Sequence, residues 1–462
     1  MLKRVLVANR GEIAVRIIRE CLDNSIEAVA VYSTADRNSL HASIATRAVC
    51  IGGPKAQDSY LNAENIIQVA KATGCDAIHP GFGFLSENTQ IARLCEENDI
   101  EFIGPSAETI KLMGDKSSAR ELMKKAGVPV TPGSEGLVKD GEEAVSAADK
   151  SGFPVLLKAS AGGGGRGMRR AGNAEEVRRM FTEASAEAES CFGDGSMYVE
   201  KLIENPRHIE FQILADSLGN IVHLGERDCS IQRRNQKILE EAPAFSLSEE
   251  LRQKMGLAAC KAAETAGYKS AGTVEFIVDK DDNFYFIEMN TRIQVEHPVT
   301  EMVTGVNIVR EQLRIASGLP LSFCQEDVKL SGHAIECRIT AEKIYDGFAP
   351  CPGKISFLHL PAGAGVRVDS ALYTGCEISP YYDSMVAKVI VRGDTRLEAI
   401  RKMRRALGEM VIEGVETILP VQYLLMYNSD FLRGGYDTGF MDAHLEELLT
   451  LYEKAGGKNE SV

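Results

Sequence analysis

Glu275 and Glu288 are the residues in this chain whose spacing most directly suggests chemistry. They lie in VEFIVDKDDNFYFIEMNTRIQVEHPV, residues 274–299. β-prone runs at 274–278 and 284–288 flank the turn-forming residues 279–283, and this pattern predicts a hairpin. With Asp281-Asp282 at the turn centre, Glu275 faces Glu288, Ile277 faces Phe286 and Phe276 faces Ile287. Opposed side chains sit about 5 Å apart at Cβ, where like charges repel. A solvated edge hairpin would tolerate the pair, whereas strands that read apolar on both faces would not. A divalent cation resolves the repulsion, and Asn290, one strand period on, adds a third oxygen ligand. Arg292, Gln294 and Glu296 follow at every second residue. The pattern therefore predicts a metal site beside an anion site.

Phosphate-handling elements precede the hairpin. Residues 154–158 (PVLLK) read as an apolar strand that delivers Lys158 into ASAGGGGRG, with Gly163, Gly164 and Gly165 at its centre and Arg166 after them. Glycine lets backbone N–H groups approach phosphate and adopt positive φ without penalty. The lysine precedes the glycines, so this is neither a Walker A loop nor a dinucleotide loop. Placement directly after a buried strand favours a phosphate lid over a plain linker. Lys116 sits at a predicted helix start. Residues 198–203 (YVEKLI), carrying Glu200, Lys201 and Ile203, read as a strand suited to line an adenine with backbone groups. His208 alternates along the next strand pattern, a position where a histidine is structural about as often as functional. Residues 226–237 (ERDCSIQRRNQK), with Gln232, Asn235 and Lys237, form a dense polar run just before the apolar Ile238-Leu239, which argues for inward-facing charge that binds an anion.

The elements that must position these residues follow from length and pattern. At 462 residues, two to four domains are expected. With 52 basic against 66 acidic residues the net charge is −14, so nothing global attracts nucleic acid or an anionic membrane. No secretory signal and no run of 18 apolar residues is present, and a cytoplasmic protein is expected. Eleven cysteines without a C-x-x-C pair read as buried reduced thiols, with Cys229 notable for its charged surroundings.

Strand–helix alternation over the first ~110 residues predicts a parallel sheet covered on both faces, without G-x-G-x-x-G. A mostly helical stretch, 106–133, ends in glycines and prolines. It leads to a compact α+β unit over about 131–203 and a larger α+β region to about 330. Strand signals at 333–340 and 385–391 and a helix over 396–410 mark the last part, before a tail that reads as disordered.

Six segments, in this order, resemble the biotin carboxylases of the ATP-grasp superfamily: NRGEIAVRIIR (9–19), HPGFGFLSEN (79–88), KASAGGGGRGMR (158–169), ERDCSIQRRNQK (226–237), EMNTRIQVEHPVTE (288–301) and PYYDSMVAK (380–388). The resemblance covers about residues 1–446. It implies an α/β and α+β multidomain fold. This comprises an N-terminal Rossmann-like parallel-sheet domain (1–114), an ATP-grasp domain (115–330) with a mobile lid (about 131–203), a C-terminal biotin-carboxylase domain (331–446) and a flexible tail (447–462).

The resemblance also implies roles. ATP would lie on Lys116, Lys158 and the glycine loop, with Glu200, Lys201, Ile203, His208, Gln232 and Asn235 lining its site. Magnesium or manganese would be held by Glu275, Glu288 and Asn290. Bicarbonate would lie on Lys237, Arg292, Gln294 and the Val295 N–H, with Glu296 as its general base. Arg338 would stabilise the biotin enolate, with Phe82 and Asp383 nearby. Three departures stand out: Asn235 replaces a common histidine, Phe82 a common tyrosine, and Ile339-Thr340-Ala341 the more usual Ile-Asn-Ala. No Ala-Met-Lys-Met segment is present, so biotin is expected on a separate carboxyl carrier protein, with separate carboxyltransferase subunits and a homodimer of this chain. The rival readings are a carbamoyl phosphate synthetase-like ligase, which would not need Arg338 or the 380–388 segment, and a catalytically silent nucleotide-binding protein, which would have lost the metal carboxylates or Glu296.

Overall fold

In the N-terminal sheet, Val5, Val7, Ala28 and Ala30 alternate with Leu6, Ala8, Val29 and Val31, and both sets are fully buried. Strands apolar on both faces must be covered on both faces, as parallel sheets are. The computed structural model, which describes residues 2–160 and 168–456, bears this out. Five parallel strands lie in the order Arg47–Gly52, Glu27–Ser33, Arg4–Val7, Ala77–His79, Glu101–Phe102. Helix Gly11–Asp23 packs on one face, and helices Ala63–Thr73 and Thr89–Glu97 pack on the other. The edge strand Arg47–Gly52 is not evident from sequence. Most of its residues are exposed or half-buried, so it lacks the apolar run of its neighbours.

Strands Val155–Ala159, Met168–Ala171 and Met197–Lys201 form a small antiparallel sheet. With helices Gly141–Ser151 and Ala174–Phe192 it makes the expected 131–203 unit around a core of its own. The glycine run, including Gly163, Gly164, Gly165 and Arg166, lies outside the described residues.

The main body is one eight-stranded antiparallel sheet. Its order is Phe284–Asn290, Ser270–Val278, Arg207–Ala215, Ile221–Arg233, Gln236–Ala242, His333–Thr340, Met385–Gly393, Val366–Ser370. Five strands come from the region before residue 330 and three from the region after it. The seam between them is an ordinary ladder, with Leu239 opposite Cys337 and Glu240 opposite Glu336. The two regions expected as separate domains therefore share a sheet.

The expected flexible tail from residue 447 needs correction, because helix Phe440–Lys454 runs through its first half. Leu448 is buried there, and Leu445, Leu449 and Tyr452 pack beside it on the C-terminal core, a helical stripe strong enough to order the segment. Residues 457–462 lie outside the described part. All eleven cysteines are free, but only six are buried, so burial does not hold for the rest. No helix among the described residues is long and apolar enough to cross a membrane.

Candidate active site

The 270–278/284–290 hairpin pairs Glu275 with Glu288, as expected, and also Thr273 with Asn290. Nearer the turn the register differs from the sequence reading: Phe276 faces Phe286 and Ile277 faces Tyr285. A β-bulge at Ile287 causes the change. Strict alternation would place Glu288 and Asn290 on the same face as Phe284 and Phe286, which belong to the core. One extra residue reverses the parity, so Ile287, Glu288 and Asn290 all open onto a cavity of about 1260 Å³.

Within the described residues, every expected site residue lines that cavity except Glu296, which is fully buried against it. A row of acidic residues crosses the sheet beneath: Glu288 opposite Glu275, Glu275 opposite Glu210, and Glu210 opposite Arg227. Arg227 is fully buried and closes the row. It donates to Glu210 at 2.5 Å, Gln212 at 2.8 Å, Thr300 at 3.0 Å and Thr273 at 3.1 Å. Lys237 Nζ bridges Glu210 (2.5 Å), Glu296 (2.6 Å) and Glu275 (3.1 Å).

Burial alone would raise the pKa values of Glu275 and Glu296. Lys237 overrides it in both cases, helped by His208 at Glu275 and by Arg338 and Arg227 at Glu296, and both stay well below the usual carboxylate range. Cys229 Sγ lies 3.9 Å from Glu296, and burial beside Glu210 pushes its thiol up, so it is an inert proton-bearing neighbour.

Each of the two opposed carboxylates has a cationic partner. Glu288 pairs with Lys116 at 2.8 Å, and Lys116 stands at the first turn of helix Lys116–Ala126 as expected. Glu275 contacts His208 Nε2 at 3.1 Å and accepts from Asn290 Nδ2 at 2.8 Å and Gln294 Nε2 at 3.2 Å. Ligand atoms of His208, Glu210 and Glu275 cluster within 4.8 Å, as do those of Glu210, Cys229 and Glu296, whereas Glu288 joins neither group. Two opposed carboxylates with an amide oxygen nearby are nonetheless the oxygen donor set that magnesium or manganese takes.

The row Arg292, Gln294 and Glu296 is held from both sides. Arg292 donates to Gln294 Oε1 at 3.0 Å and to Asn290 Oδ1 at 3.3 Å, and its Nε reaches Glu87 of the N-terminal domain at 2.9 Å. Glu87 also accepts from the Thr291 N–H at 3.1 Å. Glu296 stands at the N-cap position of helix His297–Thr304 without a side-chain capping hydrogen bond, and the positive end of the helix dipole there favours a carboxylate. Arg338, opposite Lys388 on the next strand, lies 3.0 Å from Glu296 and 2.5 Å from Glu240.

In the 131–203 unit, Lys158 pairs with Glu200, which Arg120 also approaches at 3.4 Å. Lys201 Nζ donates to the carbonyls of Gly152 (2.9 Å) and Phe153 (2.6 Å). His208 and Gln232 meet at 3.0 Å. Arg234 and Asn235 form the two-residue turn between strands Ile221–Arg233 and Gln236–Ala242, both at positive φ (51° and 62°). That conformation selects asparagine on conformational grounds alone. Phe82 packs at the edge of the N-terminal core, and Asp383 is exposed at the rim, where its Oδ1 accepts the Met385 N–H.

Sequence reasoning missed Glu87, Glu210, Arg227 and Glu240. A signal existed for Glu210, because polar His208, Glu210 and Gln212 alternate with apolar Ile209, Phe211 and Ile213.

Residues 1–110 match the family model described as the biotin carboxylase N-terminal domain, and residues 336–443 match that of the biotin carboxylase C-terminal domain. Residues 115–324 match the model of the carbamoyl-phosphate synthase L chain ATP binding domain. The chain is 56% identical over 445 residues to biotin carboxylase 1 of Bacillus subtilis, covering 96% of this chain and 99% of the relative. The chain belongs to the biotin carboxylase family. Another relative is the biotin carboxylase of Haemophilus influenzae, 52% identical over 96% of this chain and 99% of its own length. Among solved structures, the biotin carboxylase domain dimer of Hydrogenobacter thermophilus 2-oxoglutarate carboxylase, in complex with MgADP, ADP and bicarbonate, superimposes with a TM-score of 0.93. It is 52% identical and covers 97% of this chain and 99% of its own. The carbamoyl-phosphate synthase description belongs to the middle region alone, while biotin carboxylase domains flank it on both sides.

Proposed function

We propose that this biotin carboxylase family member carries out the first half-reaction of a biotin-dependent carboxylase, such as acetyl-CoA carboxylase or a related acyl-CoA or pyruvate carboxylase. It uses ATP and bicarbonate to carboxylate biotin on a separate carrier protein, giving ADP, phosphate and carboxybiotin. The observation that carries this reading is the position of Glu296, wholly buried between Lys237 at 2.6 Å and Arg338 at 3.0 Å.

Lys116 and Lys158 hold the ATP phosphates. Glu275, Glu288 and Asn290 would hold magnesium or manganese, which when bound neutralises phosphate oxygens. Arg292, Gln294, Lys237 and the Val295 N–H hold bicarbonate beside Glu296. Glu296 takes the bicarbonate proton, and the cations that keep it ionised also stabilise the negative charge that builds on the substrate. The bicarbonate oxygen attacks the γ-phosphorus and the bond to ADP breaks, giving carboxyphosphate. Carboxyphosphate splits into CO2 and phosphate, and phosphate takes the ureido N–H proton of biotin. Arg338 stabilises the resulting enolate oxygen, and the biotin nitrogen attacks CO2. Such short-lived species need water excluded, the task of the lid.

The partners that fit this reading are a biotin carboxyl carrier protein, carboxyltransferase subunits and a second copy of this chain. The test is ATP hydrolysis measured with and without bicarbonate and free biotin. Stimulation by both is expected. Hydrolysis indifferent to bicarbonate would overturn the reading, and bicarbonate dependence without biotin stimulation would favour a carbamoyl phosphate-type ligase.

A further inference from the structure

Lys388 ends the 380–388 signature segment and takes no part in the steps above. It is fully buried in strand Met385–Gly393, opposite Arg338 on one neighbouring strand and Asp369 on the other. Its Nζ donates to the Val295 carbonyl at 2.7 Å and lies 3.1 Å from Glu12 Oε1 and 3.9 Å from Asp369 Oδ2. Glu12 belongs to the first signature segment, and among the described residues Lys388 is its only ion-pair partner. The first and last signature segments thus meet at Lys388, which alone of the two residues reaches the Val295 carbonyl.

That carbonyl belongs to the peptide joining Val295 to Glu296. The preceding peptide, which carries the Val295 N–H, is held by its own carbonyl: Gln294 O accepts from His297 Nδ1 at 2.7 Å. Burial, with Lys388, Arg367 and Arg16 nearby, keeps the His297 pKa well below normal, so the ring is neutral and Nδ1–H is its donor. Both peptide planes around Val295 are therefore fixed from behind, one by a neutral imidazole and one by an ammonium group. Peptide planes free to rotate would move both the Val295 N–H and the start of the Glu296 side chain, and displacements of about 1 Å in such groups are costly to catalysis. A lysine serving only to join domains would be satisfied by Glu12 and Asp369. Its shortest contact is instead with a neutral carbonyl adjoining the general base.

We infer that Lys388 is a positioning residue for the carboxylation reaction: from the C-terminal region it fixes the 295–296 peptide, and with it the start of the Glu296 side chain, so that the Glu296 carboxylate faces bicarbonate, while His297 holds the peptide that carries the Val295 N–H. The inference rests on the reaction proposed above.

The experiment uses the full chain with Lys388→Met and with Lys388→Met/Glu12→Gln. The double variant removes the carboxylate charge that the single variant would leave buried without its cation. Melting temperature and the KM values for bicarbonate and MgATP are measured with free biotin present. The double variant is expected to fold and to show a bicarbonate KM raised at least tenfold, with the MgATP KM within threefold of wild type. A bicarbonate KM within threefold in a folded variant would overturn the inference, as would both KM values rising together. A double variant that does not fold would also overturn it, since Lys388 would then serve the domain junction as a whole. Failure of the underlying reading is visible separately, as wild-type ATP hydrolysis that does not respond to bicarbonate.

Discussion

Replacing either opposed carboxylate with glutamine makes the same chemical change in two environments, and the outcomes should differ. The Glu288 side chain is 31% exposed and has one ion pair, with the 29% exposed Lys116. A pair of that exposure contributes about 0–1 kcal/mol, and the repulsion from Glu275 offsets part of it. Glu288→Gln should therefore leave stability within about 1 kcal/mol of wild type. Glu275 is buried, contacts Lys237 and His208, and accepts from two side-chain amides. Removing its charge breaks a buried, hydrogen-bonded cluster, and Glu275→Gln should cost about 3 kcal/mol. At pH 7 that contribution is fully present. A carboxylate with a depressed pKa loses its contribution only as pH falls below its unfolded value of about 4.3 and through the folded one. Both variants remove a proposed metal ligand, so kcat/KM should fall at least ~100-fold in each, about 2.7 kcal/mol of transition-state stabilisation. The assays are denaturant unfolding with EDTA at pH 7 and ATP hydrolysis titrated with magnesium. Equal destabilisation by the two substitutions would refute the reasoning about their environments, and an unchanged magnesium titration would refute the metal assignment.

Other predictions follow from individual contacts. Glu296→Gln should reduce biotin-dependent turnover by about 1000-fold or more while ATP affinity, measured by calorimetry, stays within threefold; surviving turnover would remove Glu296 as the base. Burial, with Glu296 nearby, lifts the Glu240 pKa to about 7 despite Arg338. The folded protein then holds a proton that the unfolded chain releases, so stability should decline as pH rises from about 4.3 to about 7. Glu240→Gln should flatten the dependence of melting temperature on pH between 5 and 7, and an unaltered slope would contradict this assignment. At the 234–235 turn, Asn235→Gly should change stability by less than about 0.5 kcal/mol and Asn235→Val should cost about 1–2 kcal/mol, because a β-branched residue resists positive φ. Equal melting temperatures for the two variants would count against this account of the turn.

The opposition of Glu275 and Glu288 was legible because a hairpin converts spacing into register. The bulge was not, although its trace was visible: Phe284 and Phe286 share even numbering with Glu288 and Asn290, and one uninterrupted face cannot be both core and site. Arg227 and Glu240 were hidden for a different reason. Which polar residues of a central strand face a cavity depends on neighbouring strands far away in sequence, and Arg227 acquires its role only when Gln212, Thr273 and Thr300 arrive around it. The edge strand Arg47–Gly52 carries too little burial to leave an apolar signature, and the end of the last helix was obscured by the polar residues beyond it. Signature segments located the site, but they do not say which side chains turn inward to hold it.

The ladder that crosses residue 330 bears on how the molecule comes apart. Strand Gln236–Ala242 cannot release strand His333–Thr340 without exposing a row of backbone donors and acceptors, together with the buried Leu239 and Cys337. The strands of this sheet on either side of residue 330 should therefore unfold as one cooperative unit. The 131–203 unit has a separate core and can open on its own. Local opening is thus expected in the unit that carries Lys158 and Glu200, while the sheet carrying the carboxylates and Arg338 should resist opening by itself.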